Sequence, residues 1–97
     1  MSDMGKAVVK KIGDREIVCR ELTVSGVRKL LVAAPPVDVV DAALFTDIRL
    51  GDLQLMTDLA SDDIEAMFPS ELAQVVEGCR AVNPDFFAML GRLSNRV

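Results

Sequence analysis

The run "AVVKKIGDREIVCREL" contains two β-rich stretches with nothing between them but Gly13-Asp14. A two-residue loop that begins with glycine is what a type II′ hairpin turn requires, because its first central residue takes a positive φ. If Ile12 faces Arg15, Lys11 falls opposite Glu16, Val9 opposite Val18 and Lys6 opposite Glu21. Opposite charges then meet, and valine meets valine. A lone two-stranded hairpin is marginal in water, so this one must lean on helices or gain strands from another copy.

The remaining sequence reads as short helices separated by breakers. Thr23 is placed to cap a helix over "VSGVRKLLVAA", whose Val24, Val27, Leu30, Leu31 and Ala34 share a face, and Pro35-Pro36 ends it. Residues 37–45 form a second helix, with Asp38 and Asp41 near its positive end. Gly51, Ser61-Asp62-Asp63 and Pro69 divide the middle into pieces of one or two turns, with Asp62 and Glu65 spaced as a capping pair. "SELAQVVEGCRAV" is the clearest helix, with Ser70 as its N-cap and Leu72, Val75, Val76, Cys79 and Val82 on one face. Asn83-Pro84 ends that helix and caps the next, whose apolar stripe is Phe86, Met89, Leu90 and Leu93. The expected architecture is α+β and mainly helical: one domain over residues 1–97, with a hairpin at 7–22 and about five short helices within 23–95.

Ninety-seven residues, 51% of them apolar, suffice for one modest core. The absence of histidine removes the commonest general base and the commonest metal-binding nitrogen. Ser25, Ser61, Ser70 and Ser94 have no histidine to activate them, and the glycines do not form a phosphate cradle. Asp58, Asp62 and Asp63 match no calcium loop. Cys19 and Cys79 lack metal-ligand spacing and sit among apolar residues, so they read as inert buried thiols in a reducing compartment. Catalysis, cofactors and metals are therefore not expected. Neither is a secretory leader or a membrane span, since no apolar run approaches the roughly 18 residues needed.

Charge is unevenly distributed. Residues 1–36 carry seven basic side chains against four acids, a net of +3, and the remainder carries four arginines against eleven acids, a net of −7. Such a dipolar chain can dock head to tail on its copies, while the acidic total argues against nucleic-acid binding. Methionine and phenylalanine gather in the second half, and flexible apolar surfaces of this kind suit helical partners. Met56, Met67, Phe68, Phe87 and Met89 are the candidate partner-binding residues, with Phe86 assigned to the core because it shares a face with Leu90.

The stretch "DLQLMTDLASDDIEAMFPSELAQVVEGCRAVNPDFFAML" resembles the small tail assembly chaperones of long-tailed bacteriophages and prophages. Their sequences often pair a "T-D-L-S" stretch and a "P-S-E-L" helix start with a terminal "V-N-P-D-F-F". The likeness covers roughly residues 52–93 and departs from the pattern at Ala60, which intervenes between Leu59 and Ser61. It implies a non-enzymatic protein of the host bacterial cytoplasm, absent from the mature virion, that self-associates and coats the apolar helical tape measure protein. It also implies recruitment of tail tube subunits and a longer form made by ribosomal frameshift. The alternative is a small acidic inhibitor or adaptor that presents its Asp/Glu-rich half to a basic surface.

Overall fold

The computed structural model describes residues 5–32, 38–45 and 48–94. Strands β1 (Ala7–Ile12) and β2 (Arg15–Arg20) form the antiparallel hairpin, followed by α1 (Val24–Leu31), α2 (Val39–Ala43), a 3₁₀ turn at Leu50–Asp52, α3 (Leu53–Met56), α4 (Ser61–Ala66), α5 (Pro69–Val82) and α6 (Pro84–Ser94). The fold is α+β and mainly helical, as the breakers and periodicities imply. Pro35-Pro36 and Ala34 lie outside the described residues. No helix among the described residues is long and apolar enough to cross a membrane.

The hairpin register is the expected one, with Ile12 facing Arg15, Lys11 facing Glu16 and Val9 facing Val18. Gly13 sits at φ 61°, and no non-glycine residue among those described takes a positive φ, which is the type II′ pattern. The pleat sends Ile12, Ile17 and Cys19 inward and leaves Val9 and Lys11 outside.

Helix α5 covers the inner face of both strands with Leu72, Val75, Val76, Cys79 and Val82. Its approach is close enough that a β-carbon on Gly78 would lie 2.9 Å from Cys19 Sγ and 3.1 Å from Lys10 Cγ. Glycine is what permits that proximity. Beside it, a hydrogen bond between Cys19 and Cys79, reinforced by burial, pushes the Cys79 thiol far above its ordinary range. Both cysteines are free and buried, and the same hydrogen bond lowers the Cys19 thiol.

Several helix starts differ from the expected ones for a shared reason. At Arg49, Ala60 and Phe68 the N-cap residue offers no suitable side chain, and a carboxylate three residues on accepts its backbone N–H instead: Asp52 at 3.0 Å, Asp63 at 2.9 Å and Glu71 at 2.8 Å. Helix α4 is therefore capped through Asp63, not through the Asp62–Glu65 pair. Helix α5 begins with Pro69 at its first position, so Ser70 is inside the helix and is not its N-cap. Proline has no N–H to lose there, and its fixed φ already suits a first turn. Thr23 and Asp38 do cap α1 and α2 through their own side chains.

The hairpin is also tied to α4 and the preceding loop by polar contacts. Thr57 bridges to Cys19, Asp58 Oδ1 accepts from Val18 N at 3.2 Å, and Arg20 donates to Thr57 O at 2.9 Å. Arg15 grips Asp63 with both terminal nitrogens, at 3.0 and 3.1 Å. The Arg15 guanidinium, with the Ala60 amide second, holds the Asp63 carboxyl below its ordinary value. A depressed carboxylate stabilises the fold above the unfolded-state value of about 3.9, and that contribution fades as pH falls through the folded-state value. The denaturant midpoints of wild type and Asp63→Asn should therefore differ at neutral pH and converge under acid. A constant gap down to the lowest pH would show that Asp63 does not act through its charge.

Candidate functional site

The corner between α5 and α6 is set by Asn83, which is 3% exposed. Its Oδ1 accepts from Leu22 N at 2.8 Å, and its Nδ2 donates to Arg20 O and Cys79 O, each at 3.1 Å. The side chain thus joins the exit of β2 to the end of α5 and does not cap α6, as the Asn-Pro pair suggested it would. Only the Asn83 carbonyl serves α6, accepting from Phe87 N at 3.2 Å. With this joint closed, the start of α1 is held beside α6. At its other end, Arg49 donates to Leu30 O at 3.0 Å while paired with the buried Asp52. That contact satisfies a carbonyl left over at the end of α1.

Held in this way, α1 buries Leu30, packs Val27 partly against the core and leaves Val24 and Leu31 exposed. Val24 is 69% and Leu31 51% exposed, with Val32 beyond them at 81%. Between α1 and α6 runs a groove of about 310 Å³, with Leu22, Val24 and Val27 on one wall and Phe86 and Met89 on the other. Glu21, Asp85 and Arg92 stand along it. A second groove, of about 360 Å³, is lined by Leu30, Leu31, Ala42, Ile48, Phe86 and Leu90, with Arg49 and Asp52 also on it. Phe86 contributes to both, so one buried ring supports two adjoining apolar channels. Val39 and Val40 of α2 add further exposed apolar surface.

The five residues singled out from the sequence do not form a single patch. Met56 is fully buried, because α3 is a single turn that sends both Leu53 and Met56 inward. It belongs to the core and is removed from the candidate surface. Met67 is half-buried against the core, and Phe68 is 70% exposed at the start of α5. Phe87 is half-buried, edge-to-face with Phe86 at 5.1 Å, and its ring lies 5.0 Å from the Arg80 guanidinium. Met89 alone of the five lines a groove described here. On a helix Phe87 and Met89 fall on opposite sides of Phe86, so they cannot present one surface. The sequence did offer a signal for Val24, Val27 and Leu31, namely their shared stripe, but a stripe does not reveal whether a neighbour covers it.

The acids of the second half are mostly occupied. Asp38, Asp41, Asp52, Asp58, Asp63 and Glu71 accept backbone N–H groups, and Glu77 pairs with Lys10 at 3.0 Å. A cleft of about 510 Å³ lined by Asp38, Asp41 and Glu65 is built partly from such caps. No group of three or more His, Cys, Asp or Glu among the described residues is arranged to hold a metal ion. No family model, curated protein or solved structure matches the chain. Its surface must be read from its own chemistry.

Proposed function

We propose that this protein is a non-enzymatic tail assembly chaperone that self-associates and shields an apolar helical client, the tape measure protein, with tail tube subunits as a further partner. The observation that carries the reading is the exposure of Val24 and Leu31 of α1, which line two apolar channels sharing Phe86 with α6. An amphipathic helix lays its apolar face into such a groove and anchors at i, i+3 or i+4, and i+7. Flexible Met89 and unbranched Arg92 on the α6 side let the groove adapt to an apolar helical client. The sequence resemblance over residues 52–93 supplies the identity of the client. The acidic-inhibitor alternative draws less support, because most of its would-be contact acids already serve as helix caps or ion-pair partners.

Copurification with a coexpressed tape measure protein tests the reading. Val24→Asp and Leu31→Asp change exposed side chains, so both variants should fold normally. Each should weaken client capture by about tenfold, the scale expected when a charge replaces an apolar interface anchor. Capture that is undiminished in the double variant would refute the groove as the binding surface.

A further inference from the structure

The two edges of the hairpin are treated differently. Along β2, Thr57 and Asp58 cover the edge, and the Val18 N–H is met by Asp58. Val9 lies directly opposite Val18, so in an antiparallel ladder its own N–H and C=O point the other way, out of the sheet. The same alternation turns the backbone groups of Ala7 and Lys11 outward. Among the described residues no segment pairs with this β1 edge.

From this we infer that β1 is a self-pairing edge, with a second copy of the chain adding its own β1 antiparallel across a twofold axis at Val9. The two hairpins then form one four-stranded sheet. Charge selects this register. With Val9 facing its symmetry mate, Ala7 faces Lys11, Val8 faces Lys10 and Lys6 faces Ile12, so no lysine meets a lysine. A shift of two residues one way sets Lys6 against Lys10, and a shift the other way sets Lys10 against its own mate. Like charges directly opposite each other are destabilising, so both shifts are disfavoured.

The lysines of an edge strand normally deter such pairing, and here that deterrent is reduced. Lys10 is engaged with Glu77 of its own α5, and Lys11 lies across from Glu16. The outer face gains as well. Val9, 52% exposed, and its half-buried partner Val18 would meet their mates as a continuous strip of four valines across the sheet. β-Branched residues on neighbouring strands pack well in this way. The pairing deepens the self-association half of the proposed function and leaves the α1–α6 groove free. It also differs from head-to-tail docking of the basic and acidic halves, since Lys10–Glu77 and Arg15–Asp63 already join those halves within one chain.

Light scattering of the full chain should give twice its 10.5 kDa mass at high protein concentration, in low salt and in high salt alike. Amide exchange at Ala7, Val9 and Lys11 should slow as the dimer forms. Val9→Lys, which sets two like charges on the axis, should weaken the dimer by about tenfold or more while leaving the monomer folded. Val9→Pro removes one outward N–H without touching the β1–β2 bonds and should act in the same direction. A monomer at every concentration would overturn the inference, as would a dimer dissolved by salt, which indicates the charge-driven contact instead. A dimer indifferent to both variants, with those three amides unprotected, would place the interface elsewhere. Loss of client capture in Val24→Asp with the dimer intact would concern only the groove, so the two readings fail separately.

Discussion

Replacing Asn83 with alanine is expected to destabilise the protein by about 3 kcal/mol, the scale set by removing the partners of more than one buried polar group. The substitution leaves Leu22 N–H and Arg20 C=O without their partner at the exit of β2, and frees Cys79 O at the end of α5. A marginal domain holds roughly 5 to 15 kcal/mol in total, so a loss of this size is visible as a large fall in the urea midpoint. Asn83→Asp separates the two halves of the joint: it keeps an acceptor for Leu22 but loses the donor and buries a carboxylate against two carbonyl oxygens. Its stability should therefore recover as pH falls and the carboxyl protonates. If both variants melt with the wild type, the corner is held by packing alone.

The second large effect is expected at Phe86. Truncation to alanine should cost about 3 to 5 kcal/mol, since a buried ring is removed from a core with few alternatives to fill the void. Phe87→Ala should cost clearly less. Its ring is half-buried and rests partly on the Arg80 guanidinium, a contact worth roughly 0.5–1 kcal/mol at exposed sites. Phe86 also contributes to both grooves, so Phe86→Leu is the informative companion: it keeps much of the core volume while removing the ring from the channels. Equal losses for Phe86→Ala and Phe87→Ala in a denaturant titration would reverse this assignment of faces.

Elements specified by local chemistry were legible in advance. Gly13-Asp14 sets its own turn, which sets the register; Thr23 caps with its own hydroxyl; and the face of α5 follows from its spacing. What escaped the sequence depended on partners distant in the chain. Asn83 next to Pro84 has the local form of an N-cap, and only the arrival of β2, some sixty residues earlier, diverts its side chain to Leu22 and Arg20. Met56 looked like adaptable surface because its neighbours did, but a one-turn helix has no room to choose its face. The exposed Val24 and Leu31 of the α1 stripe illustrate the limit from the other side. Its periodicity promised burial, and its exposure follows from what α6 and Arg49 do at either end.

The Asn83 joint, together with the cover that α5 gives the hairpin, fixes an order of events in time. The hairpin is made before the helices that cover it, and its turn lets it close within microseconds. Yet the inner face of the hairpin is not covered until α5 follows, and the β2 exit is not fastened until Asn83 has been made. Throughout that interval the nascent chain carries a half-buried sheet with bare edges, the condition in which strands pair with the wrong neighbour. The bidentate Arg15–Asp63 grip and the Thr57–Asp58 cover form midway through synthesis, on β2. They shut the β2 edge before the core is complete and leave β1 as the edge still open.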